Sequence, residues 1–93
     1  MVITNPTHFA IALKYKLGEM DAPICVAKGV DHLAFKIRSV AEEHKVPIVE
    51  NPPLARALYD TVELDHEIPP EHFTAVAEII GYIMRQRGDL PLH

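Results

Sequence analysis

Pro23-Ile24-Cys25-Val26-Ala27-Lys28-Gly29 and Val46-Pro47-Ile48-Val49 bracket a charged, helix-patterned stretch, and the three read together decide the fold. Ile24, Cys25, Val26 and Ala27 form an unbroken apolar run, the pattern of a strand buried on both faces. Gly29 is its expected end. Asp31 is placed to cap a helix. In that helix Leu33, Ile37, Val40 and Ala41 recur on one face, with Lys36, Arg38, Glu42 and Glu43 largely outside. Residues 46–49 then return to strand. Strand, helix and strand within about thirty residues make a βαβ unit, which predicts parallel strands and a right-handed crossover.

Upstream, residues 2–4 are β-branched and predict a short strand. Asn5-Pro6 interrupts it, because proline gives no ladder donor and restricts the residue before it. The pattern then alternates. Phe9, Ile11, Leu13 and Tyr15 share one face, and His8, Ala10, Ala12, Lys14 and Lys16 share the other. Residues 17–22 hold Gly18 and Asp21 and read as a loop.

Downstream, Asn51 is a helix cap with Pro52 and Pro53 in the first turn. Leu54, Leu58 and Val62 form the inner face of that helix, and residues 64–67 are a connection. Pro69 and Pro70 open a last helix with Phe73, Val76, Ala77, Ile80, Ile83 and Met84 at helical spacing, and Gly88 as its stop. The expectation is one α/β domain over residues 1–93: a small mixed sheet of about four strands surrounded by three to four helices.

Composition narrows the function classes. In 93 residues, 48% are hydrophobic, enough for a modest core. The net charge is −4 with bases scattered among acids, which argues against nucleic acid as a partner. Cys25 is the lone cysteine, so no intrachain disulfide forms, and a reducing cytosol fits. No apolar run approaches the roughly 20 residues of a membrane span. The histidines lack the spacing of a metal site, the glycines form no phosphate loop, and the single serine, Ser39, sits in no nucleophile elbow. No metal and no cofactor is expected.

The bond between Asn5 and Pro6 is chemically distinctive. Pro6 has no backbone N–H, so the attack of that nitrogen on the Asn5 side chain, which leads to deamidation, is closed. The opposite attack stays open. The side-chain amide nitrogen of Asn5 can add to the carbonyl carbon of Asn5 itself, which breaks the bond to Pro6 and leaves a C-terminal succinimide. Nucleophile and target belong to one residue, so proximity is built in. Asn51-Pro52 is an internal control, since two such pairs would both break if the dipeptide sufficed. Asn5-Pro6 lies between two strand segments that can fix a turn. His8, when neutral, can take a proton from the attacking amide or order a water. Thr7 can support the turn by hydrogen bonding, and backbone N–H groups can hold the oxyanion.

Asn5-Pro6-Thr7-His8 resembles the self-cleavage motif of the export-switch protein of flagellar and injectisome type III secretion systems. Val2-Ile3-Thr4-Asn5-Pro6-Thr7-His8-Phe9-Ala10 is similar to its cleavage segment, and Ala27-Lys28-Gly29 to the end of its next strand. Val46-Pro47-Ile48-Val49 resembles the strand after its helix, and Pro52-Pro53-Leu54-Ala55-Arg56-Ala57-Leu58-Tyr59 its following helix opening. The resemblance covers nearly the whole chain and is more flagellar than injectisome. It implies a cytoplasmic domain, at the cytoplasmic face of the bacterial inner membrane, of a membrane-anchored parent. Asn5 would be the self-attacking residue, Pro6 the leaving nitrogen, and Thr7 and His8 the turn and assisting residues. The cut is single-turnover and lets the apparatus change substrate class, with export-gate and export-apparatus proteins and secreted proteins as partners. The alternative is an uncut docking module for the same partners. The resemblance implies that the two pieces stay associated through the sheet, yet since only residues 1–4 precede Asn5 here, little pairing is expected to hold the released piece.

Overall fold

The computed structural model describes residues 1–6 and 8–87. Four strands form one mixed sheet: β1 (Val2–Asn5), β2 (Phe9–Lys14), β3 (Ile24–Val30) and β4 (Ile48–Glu50). Three helices accompany it: α1 (Asp31–Glu43), α2 (Pro52–Thr61) and α3 (Phe73–Arg87), the last preceded by a 3-10 turn over Pro70–His72. The α/β class and the four strands agree with the expectation. The predicted stop of α3, Gly88, lies outside the described residues.

The strand order is β3-β2-β1-β4. β1 pairs antiparallel with β2 and parallel with β4, and β2 pairs antiparallel with β3. β3 and β4 therefore run in the same direction, as the βαβ pattern predicts, but at opposite edges with two strands between them. The β1–β2 hairpin fills the gap that α1 spans. Being an edge strand, β3 is not buried on both faces: Cys25 is fully buried while Val26 is 48% exposed. It also runs through Gly29 to Val30, which pairs with Phe9.

The alternation of β2 sorts its side chains into two cores. On one face Ile11 and Leu13 join Ile3, Cys25, Leu54, Leu58, Val62 and Val76, with Phe9 packed against them. On the other, Ala10 joins Val2, Ala34 and Ala41, with Ala12 and Ile37 alongside. The larger core lies under α2 and α3 and the smaller under α1. Burying each large aliphatic side chain stabilises by roughly 1.5–3 kcal/mol.

Helix α2 matches its expectation closely. Its Leu54 N–H donates to the Asn51 side-chain oxygen at 3.3 Å, and Pro52 and Pro53 occupy the first turn. Its far end is held from β3. Lys28 Nζ donates to the carbonyls of Tyr59 (3.2 Å) and Val62 (2.9 Å), cationic donors at the end where helix carbonyls lack partners.

Helix α1 departs from expectation at its start and on its face. Asp31 does not cap it. Asp31 is the first helical residue, at φ 48°, and Val30 precedes it with no side-chain cap. Ala34 and Ala41 are the buried residues, while Leu33 and Val40 are about half exposed. Small side chains let the helix approach Val2 and Ala10 closely, and this rolls the bulkier apolar residues off the core.

Candidate functional site

Asn5 ends β1 and Phe9 begins β2, and the two pair across the last rung of the hairpin. The turn between them is closed by the His8 N–H, which donates to the Asn5 carbonyl at 2.9 Å. This carbonyl is the one an Asn5 cyclisation must attack. A backbone donor already sits on its oxygen, at the separation an oxyanion donor requires. The donor polarises this carbonyl toward attack at its carbon.

Two contacts from the α1 side steady the turn. The Asp31 N–H donates to the His8 carbonyl at 3.0 Å. Arg38 Nη1 donates to the Pro6 carbonyl, and its guanidinium lies 5.7 Å from the centre of the exposed Phe35 ring. A third contact comes from the β4 side, where the Asn51 N–H donates to the Thr4 carbonyl at 2.9 Å. The residues on both sides of the Asn5–Pro6 bond are therefore pinned: Thr4 from β4, Pro6 from α1, and His8 from the start of α1.

Of the four predicted site residues, the structure places Asn5, Pro6 and His8 in this turn; Thr7 lies outside the described residues. Asn5 and Pro6 are half-buried and His8 is exposed. Among the described residues the His8 ring makes no hydrogen bond; its centre lies 6.3 Å from that of Phe9, which in turn lies 5.1 Å from Tyr59. Sequence reading missed Arg38, which helical periodicity assigns only to the outer face of α1. Its partner is 32 residues away, and no local pattern signals that contact.

The internal control differs in its atoms. The Asn51 side-chain oxygen accepts from the Leu54 N–H, and the Asn51 carbonyl accepts the first helical bond from the Ala55 N–H at 2.8 Å. The side chain and carbonyl that would have to meet are both held by α2, at φ −152° and ψ 85°.

Residues 1–83 match the family described as the FlhB HrpN YscU SpaS family. The flagellar biosynthetic protein FlhB of Bacillus subtilis (strain 168) is 61% identical over 87 residues, which are 94% of this chain and 24% of that protein. FlhB of Salmonella typhimurium is 46% identical over 83 residues, 89% of this chain and 22% of that protein. The chain thus spans about a quarter of the length of the curated relatives it matches. Among solved structures, the cytoplasmic domain of FlhB from Shewanella putrefaciens superposes with a TM-score of 0.83 at 49% identity, covering 89% of this chain and 68% of that one. The PscU C-terminal domain gives a TM-score of 0.79 at 38% identity, covering 84% of this chain and 99% of that one. No helix among the described residues is long and apolar enough to cross a membrane.

Proposed function

As this chain belongs to the FlhB, HrpN, YscU and SpaS family of export-apparatus proteins, we propose that it breaks its own Asn5–Pro6 bond by asparagine cyclisation, and that the break controls which class of protein is exported. The observation that supports the chemistry best is the His8 N–H resting on the Asn5 carbonyl oxygen at 2.9 Å.

The step balances within the turn. The Asn5 side-chain nitrogen forms a bond to the Asn5 carbonyl carbon, and the oxygen takes the developing charge beside the His8 N–H. The carbon–nitrogen bond to Pro6 then breaks, and the proton lost by the attacking amide ends on the Pro6 nitrogen. The products are a C-terminal succinimide on residues 1–5 and a secondary amine at Pro6. His8 is exposed beside the turn and is the residue assigned to pass that proton, directly or through water; Thr7 is assigned to support the turn. No catalyst is regenerated and no cofactor takes part, so the protein turns over once. In the full-length protein the domain would lie at the cytoplasmic face of the inner membrane. It would meet export-gate components and secreted substrates there and switch, in a flagellum, from rod and hook parts to filament parts.

Denaturing mass spectrometry of fresh protein, repeated after days at neutral pH, tests the reading. A species beginning at Pro6 is expected in the natural sequence and in Asn51→Ala, and is expected to be absent from a folded Asn5→Ala. Asn51→Ala should still lose about 1 kcal/mol of stability with its helix cap. A chain that stays intact throughout, or a cut that persists in Asn5→Ala, sinks the cyclisation. An intact chain would leave an uncut docking module as the reading.

A further inference from the structure

Beyond self-cleavage, and independently of it, we propose that the groove between α1 and the face of β2 and β3 beneath it docks an acidic, amphipathic segment of a partner protein. The groove follows from how α1 sits. The helix approaches the sheet through Ala34 and Ala41, and so leaves Leu33 and Val40 beside the contact rather than in it. Across from them the edge strand presents Val26. These three residues, from β3 and the helix that directly follows it, are 51%, 46% and 48% exposed. They line one open groove of roughly 610 Å³, a size suited to a few side chains of a docked segment.

Charge says what would fill it. Lys14, Lys16 and Lys36 also line the groove, and the described residues that line it include no aspartate or glutamate. That is the reverse of the whole chain, in which 13 acids outnumber 9 lysines and arginines. Among the described residues none of the three lysines forms an ion pair. An apolar floor with an unpaired cationic rim complements a helix or strand that carries apolar anchors and flanking carboxylates. An anionic bilayer is a poorer match, because a flat surface does not enter a groove and the net −4 chain repels it. The Lys14 end of the groove is remote from the cut, while Leu33 lies two residues from Asp31. Lys14 is at the far end of β2 from the turn, about 20 Å away at ~3.3 Å per residue.

Two labelled synthetic peptides test this by fluorescence anisotropy. Both carry leucine at helical spacing; one has glutamate at the remaining positions and the other lysine. The glutamate peptide is expected to bind saturably, at least tenfold tighter than the lysine peptide, and to weaken as salt rises. In Lys14→Glu/Lys16→Glu/Lys36→Glu, whose changes are all at lysines outside the cores, the preference should invert toward the lysine peptide. Equal binding of both peptides, no binding, or a preference untouched by the charge reversal would overturn the proposal. So would phosphatidylglycerol-vesicle binding that the triple variant loses while neither peptide binds. Self-association in sedimentation that the triple variant abolishes would overturn it in favour of a second copy of this chain.

Discussion

Two asparagine–proline bonds in one chain differ in what their atoms already do. Both asparagine carbonyls accept a backbone N–H; the difference is the side chain, whose oxygen at Asn51 is held by the Leu54 N–H of α2. That a turn joins β1 and β2 at Asn5 and Pro6 was legible because the signal, a proline between two strand-patterned segments, is local. Arg38 was not, since its role depends on a contact across the fold. Arg38→Ala should slow cutting about tenfold, the equivalent of ~1.4 kcal/mol in the barrier, with an unchanged circular-dichroism spectrum. Arg38→Lys should recover part of the rate by still reaching the Pro6 carbonyl. Equal rates in all three proteins, followed by mass spectrometry, would remove Arg38 from the site. Cys25 offers a separate probe. Burial pushes its thiol above the ordinary cysteine value. Above about pH 8.5 the unfolded chain therefore gives up this proton before the folded one does. The contribution is fully present below that pH and falls as pH rises through the folded value. Urea midpoints should decline more steeply between neutral and alkaline pH in the natural protein than in Cys25→Ala.

At the scale of elements, periodicity told which segments are helical but not how each helix is rolled. The stripe Leu33, Ile37, Val40 and Ala41 satisfies a helical period, yet close approach to the sheet selects Ala34 and Ala41. In α2 the stripe and the buried face coincide, because Leu54 and Leu58 have deep space to fill above Ile3 and Ile11. The start of α1 shows the same limit: an aspartate in capping position instead takes a left-handed backbone. The end of α1 carries a second such residue. Lys45 lies at φ 58°, and the Val46 N–H reaches back to the Ala41 carbonyl at 2.8 Å. That geometry favours glycine. Lys45→Gly should raise stability by up to ~1 kcal/mol, since relief of the left-handed strain outweighs the added freedom of the unfolded chain. An unchanged or lower urea midpoint would count against this account.

At the scale of the molecule, the class and the strand count were legible and the strand order was not. Order depends on which distant segments pair, and nothing local tells β4 to join β1 rather than β3. That pairing changes the expectation for a cut chain. The few residues before Asn5 suggested a weakly held fragment. Instead Val2, Ile3 and Thr4 are buried, pair with β2 on one side and β4 on the other, and contribute to both cores. After cutting, residues 1–5 should remain bound under native conditions and separate in denaturant. Native and denaturing mass spectra of one sample compare the two states directly, and a lost fragment in the native spectrum would contradict the expectation.

The central position of β1 also sets how a severed chain would respond to force. Tension applied at Met1 along the strand loads the β1–β2 and β1–β4 ladders together. The β1–β2 bonds lie across the pull and the β1–β4 bonds slant to it, so the rungs share the load in shear. Tension across the sheet would instead peel the rungs one at a time and meet little resistance. Breaking the Asn5–Pro6 bond would thus turn a covalent tether into a slip joint, firm along one axis, weak along another, and able to release above a threshold force.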